Sequence, residues 1–174
     1  MLYAAMDMWD LNGCTRDSYH YRVSGNSPVR ESAQPVYEIE FYETEGGDQP
    51  ARRWMKEDLT PTKRRAIGVA MNRLLAQEGI NVCETEWGKA LGGGLFEFRL
   101  RDDIQEQRVS EKLLLRVFFH AYGNKIILLL GGYDKGEHPS SRRQQKEIEE
   151  ARKRLRDFQD RQSRRRRVPV KRGQ

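Results

Sequence analysis

Residues 113–130 read LLLRVFFHAYGNKIILLL, and no other stretch limits the fold as strongly. Two apolar runs flank Gly123-Asn124, a dipeptide suited to a tight reversal. The pattern predicts an antiparallel hairpin of a strand over 113–122 and a buried strand over 125–130. Alternation puts Arg116, Phe118, His120 and Tyr122 on one face of the first strand, with Leu115 and Val117 on the other. The second strand is expected to stop at Gly131-Gly132. Tyr133, Asp134 and Lys135 then follow, either as a plain turn or as polar side chains delivered to a site.

Other periodicities fill in the rest. YEIEFYE (37–43) alternates Tyr37, Ile39 and Phe41 against Glu38, Glu40 and Tyr42, a half-buried strand. Asp48 is an expected N-cap for a short helix over 50–58, with Ala51, Trp54, Met55 and Leu59 at helical spacing. Thr60 caps the next helix, Pro61 suits its first turn, and Ile67, Met71, Leu74 and Leu75 form one stripe before Gly79. In GLFEFRLR (94–101), Phe96, Phe98 and Leu100 face inward and Glu97, Arg99 and Arg101 outward. Residues 101–112, including Asp102-Asp103, read as a polar connection. A last helix opens with a Ser141/Gln144 capping box. It carries an Ile148, Ala151, Leu155, Phe158 seam and Glu149/Lys153 and Glu150/Arg154 pairs. The order β-α-α-β-β-β plus a C-terminal helix predicts an α+β fold, a two-helix hairpin on a small, mainly antiparallel sheet.

The 174 residues suit one domain with appended tails: a poorly ordered 1–35, a folded 36–160, and a disordered basic 161–174. Val36 stands just before the first strand, and a valine codon can initiate translation in bacteria, so Val36 is a candidate translation start and residues 1–35 are expected to be dispensable. Residues 161–174 hold seven Lys/Arg and no acid, whereas the remainder holds 25 Lys/Arg against 26 Asp/Glu. The net charge of +6 thus belongs to the tail. Cys14 and Cys83 form neither a disulfide framework nor a CxxC site, which points to a reducing, cytoplasmic location. The longest apolar run is too short to cross a bilayer, and no signal peptide is visible, so no membrane association is expected.

Common catalytic signatures do not occur. There is no GxxxxGK[ST], no HExxH and no nucleophile elbow, and His20, His120 and His138 lack ligand-like spacing. Cations around the sheet remain: Lys89 before the Gly-rich turn, Arg99 and Arg116 inside strands, and Lys135 at a strand end. An arginine among apolar strand residues needs a wet face or a paired charge. Two readings stay open, an ion pair of Arg99 or Arg116 with Glu97 or Glu38, or an anion site.

The run WGKALGGGLFEFR…LLLRVFFHAYGNKIILLLGGYDKG…EIEEARKRL resembles the RelE/ParE superfamily of type II toxins, in its HigB-like, phage-derived branch. That branch carries Lys-x-Leu-x-Gly-Gly-Leu-Trp/Phe-Glu-Leu-Arg, then an Arg-Ile/Val-Phe-Phe/Tyr strand, an apolar strand into Gly-Phe/Tyr-x-Lys, and a helix near Glu-Ile-x-x-Ala. The resemblance covers about residues 36–158. It implies a RelE-like fold and a toxin that cleaves mRNA on the ribosome, without metal or other cofactor, held inactive by a helix-turn-helix antitoxin. Lys89, Arg99, Arg116 and Lys135 match the family's cations and are the implied catalytic set. Tyr133 and His120, with Arg164, Arg165, Arg166 and Arg167 of the tail, are the expected RNA contacts. Cleavage by a neighbouring 2′-OH needs a base, an acid and cations on the phosphorane, which clustered Lys and Arg supply. The chain departs from the family after the last strand. Relatives carry a Lys-Lys-Thr-Gln-Lys-Thr-Pro-like run where Asp134-Lys135-Gly136-Glu137-His138-Pro139 stands here. Two alternatives stay open, a ParE-like topoisomerase-inhibiting toxin and a non-toxic, phage-derived regulatory binding protein.

Overall fold

A computed structural model describes residues 35–106 and 109–167. The expectations for residues 1–34 and 168–174 lie outside them. The elements are β1 (Glu38–Phe41), α1 (Pro50–Glu57), α2 (Pro61–Ala70), a π turn (Met71–Leu75), α3 (Ala76–Glu78), a 3₁₀ helix (Gly79–Glu84), β2 (Gly88–Gly92), β3 (Leu95–Glu106), β4 (Val109–Tyr122), β5 (Ile126–Asp134) and α4 (Ser141–Arg167). The fold is α+β, with one five-stranded mixed sheet in the order β1-β5-β4-β3-β2. β1 runs parallel to β5, and the other neighbours are antiparallel.

The sheet is covered on both faces. Ala51, Trp54 and Met55 of α1, with Ile67, Met71 and Leu75 of the next helix, pack on Phe98, Leu100, Leu115, Val117, Phe119 and Leu129. On the other face, Ala151 and Leu155 of α4 pack on Leu95, Phe118, Leu128, Leu130 and Tyr133. Phe98, Phe118 and Phe119 are wholly buried, each contributing about 1.5–3 kcal/mol through the area it removes from water. Thr60 Oγ1 accepts the Lys63 N–H at 3.3 Å, capping α2. Arg64 donates to the carbonyls of Met55, Lys56 and Leu59, closing the C-terminus of α1.

Several expectations are corrected. The sheet has a fifth strand, β2, an edge strand folded back on β3 through Gly92–Gly94, all three at positive φ. The hairpin does not give way to a connection at 101–112, because β3 and β4 stay paired out to Glu106 and Val109. That ribbon is seen as backbone pairing, and the polar sequence shows no apolar alternation to reveal it. β5 does not stop at Gly131-Gly132 but runs through to Asp134. Gln49, not Asp48, precedes α1, and Asp48 instead pairs with Arg53 at 2.6 Å. The α4 cap is Ser140, whose Oγ accepts the Arg143 N–H at 3.2 Å, rather than Ser141. Lys153 pairs with Glu150 at 2.6 Å instead of Glu149, and Arg154 donates to the Leu130 carbonyl at 2.8 Å.

The tail assignment also changes, since residues 161–167 continue α4. No Gly or Pro interrupts the helix before Pro169, arginine is a strong helix former, and cations suit a helix C-terminus. Arg161 further pins this end. It pairs with Asp157 at 2.7 Å, donates to the Glu43 carbonyl at 2.7 Å, and lies over the Tyr42 ring.

Candidate functional site

Directly opposed residues of antiparallel strands point to the same face, so the strand register determines which cations meet. One row across the sheet is Lys89, Glu97, Phe118 and Gly131, and the next is Arg99, Arg116 and Tyr133. Lys135 begins the exit of β5, its N–H bonded to the Leu114 carbonyl at 2.8 Å, and Leu114 opposes Arg101. Lys89 of β2, Arg99 of β3, Arg116 of β4 and Lys135 at the β5 exit therefore lie on one face of the sheet, the face that α4 covers.

Glu97 is the hub of this region, fully buried. Its Oε2 accepts Arg99 Nε at 2.8 Å, and its Oε1 lies 3.6 Å from Arg116 Nε. The second distance is an ion pair but too long for a hydrogen bond. Arg116 is 2% exposed, and Nη1 donates weakly to the Leu115 carbonyl at 3.4 Å. Burial pushes the Arg116 pKa down, Glu97 works against that, and Arg101 and Arg99 add to the depression. The guanidinium nevertheless stays cationic at neutral pH. Arg116 Nε and the Tyr133 hydroxyl are buried without a hydrogen-bond partner among the described residues. Burial, then the Glu97 charge, raises Tyr133 to about 12, so it is a neutral phenol able to donate.

The β5 exit is held by a buried Asp134–Lys63 pair. Asp134 Oδ1 accepts the N–H of Gly136 at 2.7 Å and of Glu137 at 3.3 Å. Its Oδ2 pairs with Lys63 at 2.7 Å, and Lys63 also meets Glu137 at 2.8 Å. Burial acts against the Lys63 ammonium, but the Asp134 and Glu137 carboxylates outweigh it and lift its pKa. Asp134 thus folds the turn that follows Lys135. Nothing in the helical spacing of α2 marks Lys63 for burial. Gln144 was read only as a capping residue. In the structure it reaches from α4 to Glu97 Oε1 at 3.5 Å and accepts from Lys135 Nζ at 3.4 Å.

The remaining expected contacts lie apart. His120 Nδ1 is 2.7 Å from the Gly94 carbonyl oxygen, so that nitrogen carries the proton and donates. The ring packs near Tyr122 and edge-on to Phe158 under the later turns of α4. Arg164, Arg165 and Arg166 are exposed on the final turns, and Arg167 ends the helix. At the α-helical rise they stand about 30 Å along the axis from Gln144. Among the described residues no His/Cys/Asp/Glu cluster is placed to hold a metal, and no helix is long and apolar enough to cross a membrane. The sequence matches no protein-family model and none of the curated proteins compared with it.

Proposed function

We propose that this chain is a RelE-like, HigB-type toxin of the RelE/ParE superfamily that cleaves mRNA on the ribosome and is restrained by a helix-turn-helix antitoxin. One observation carries the reading: four cations, Lys89, Arg99 and Arg116 on three adjacent strands and Lys135 at the exit of the fourth, lie on one sheet face. Arg116 Nε and the Tyr133 hydroxyl, buried on that face without a hydrogen-bond partner among the described residues, support it, because buried polar groups left without hydrogen bonds mark either strain or an unfilled ligand position. In this reading Arg99 and Arg116 hold the phosphodiester and stabilise charge on the phosphorane. Tyr133 donates to a phosphate oxygen. Lys135 or Lys89 serves as base for the 2′-OH. Glu97 holds the two arginines together despite their like charge.

The test is induction of the chain in cells, with mapping of mRNA ends. New 5′ ends within translated frames, lost in Arg99→Ala and Lys135→Ala variants that melt normally, are expected. Growth arrest without such ends would refute cleavage. A second reading, a non-catalytic binder of the ParE-like or regulatory kind, is favoured by one feature: Glu97 already neutralises part of the cationic cluster. That reading predicts partner binding unaffected by Lys135→Ala.

A further inference from the structure

The following rests on the RNA reading above and concerns how that site is reached. Glu97, Arg116 and Tyr133 are 0%, 2% and 1% exposed, so no phosphate touches them while α4 lies as it does. Yet α4 is held unevenly. From Ile148 onward it has the apolar seam, Arg152 donating to the Leu91 carbonyl at 2.6 Å, Arg154 donating to the Leu130 carbonyl, Tyr42 donating to Asp157 at 2.6 Å and Arg161 donating to the Glu43 carbonyl. Residues 141–147 read SRRQQKE and contain no apolar side chain. Among the described residues, Gln144 alone in this stretch hydrogen-bonds to the strands or to Lys135 at the β5 exit, through two long bonds of 3.5 and 3.4 Å. The Arg143–Glu147 pair and the Ser140 cap stay within the helix and its own N-terminus.

We propose that the first two turns of α4 are a cover latched by Gln144, which unwinds to admit single-stranded RNA to Arg116 and Tyr133 while the helix from Ile148 onward stays docked. Local opening is cheapest where few buried contacts must break, and a polar two-turn segment has little helical stability of its own. Only the opened fraction binds, so the apparent affinity scales with that fraction. The energy of the latch therefore sets how tightly RNA is held.

Two variants outside the phosphate-binding set test this, Gln144→Ala at the latch and Gln145→Gly at an exposed helical position. A mid-helix glycine should raise the opened fraction about fivefold. The ligand probe is a short oligouridylate carrying 2′-O-methyl groups, which cannot be cleaved. Opening is read without RNA from the ¹⁹F resonance of Tyr133 in fluorotyrosine-labelled full chain, assigned with Tyr133→Phe. Both variants are expected to expose Tyr133 to solvent, and Gln145→Gly to tighten oligouridylate binding about fivefold. An unchanged Tyr133 resonance in both variants overturns the cover, whatever the affinity does. Exposure of Tyr133 without any gain in oligouridylate affinity leaves the movement standing and overturns RNA as what it admits.

Discussion

At the scale of single residues, Tyr133 separates stability from function. Its hydroxyl is buried and unpartnered, and such a group costs roughly 1–3 kcal/mol. Tyr133→Phe should therefore raise the melting temperature while weakening oligouridylate binding, and a variant both less stable and fully active would contradict this role. The same residue has a pH signature. Below pH 10 folded and unfolded chains both keep the phenolic proton. Between about 10 and 12 the unfolded chain releases it while the folded chain, with Tyr133 raised to about 12, retains it, so stability falls as pH rises. Tyr42 is raised to about 12 as well, by burial and its bond to Asp157, and the elevated Lys63 adds a loss of the same sign. Melting should drop steeply above pH 10, and less steeply in Tyr133→Phe. Arg116→Ala is a different kind of change. It removes one of the two arginines paired with the buried Glu97 and should cost about 3 kcal/mol, measured by denaturant unfolding.

Among the elements, β5 shows why two adjacent glycines occur in mid-strand. Successive residues face opposite sides of a sheet, and each glycine clears a different helix. A Cβ on Gly131 would stand 2.5 Å from Arg154 Nη1 of α4, and one on Gly132 would collide with the Trp54 ring of α1. Gly132→Ala meets a rigid indole and also the Arg116 carbonyl oxygen at 2.8 Å, an overpacking that should cost about 1–3 kcal/mol. Gly131→Ala meets the end of a flexible side chain and should cost less, an order that paired urea titrations would reverse if the packing argument fails. The sequence alone reads this pair as a stop, because Gly in a strand pattern signals a break as readily as a close approach. Side-chain periodicity revealed the two-helix stripe, the α4 seam and the Arg116 face, since each depends on alternating burial. It was silent on β2 and the 102–111 ribbon, where pairing is a backbone property. It also left Arg99 and Arg116 between ion pair and anion site, and the structure shows the pair with Glu97 inside the same cluster. Gln144 and Lys63 were invisible because their roles depend on which elements lie opposite them.

Over the whole molecule, charge and topology are both unevenly distributed. α4 holds twelve Lys/Arg against five Asp/Glu, so the sequence's basic excess is not confined to a tail. If Arg164, Arg165, Arg166 and Arg167 each meet a phosphate, replacing all four by Gln should flatten the salt dependence of single-strand binding by about 0.7 log unit per lost contact. An unchanged slope would remove them from the interface. Truncation should distinguish the two roles of this end. A chain ending at Gln162 keeps the Arg161 contacts and should melt like the full chain, whereas one ending at Asp160 loses them and should melt lower. The parallel pairing of β1 with β5 has a consequence in time. Glu38 is opposed by Ile126, so β1, the first strand among the described residues, has no strand partner until β5 has been made. At about 5–20 residues per second, β1 waits roughly 4–18 s with neither edge paired to a strand, while β2, β3 and β4 can pair as they emerge. Co-translational assembly of this sheet therefore begins with β2, β3 and β4 and ends when β5 captures β1.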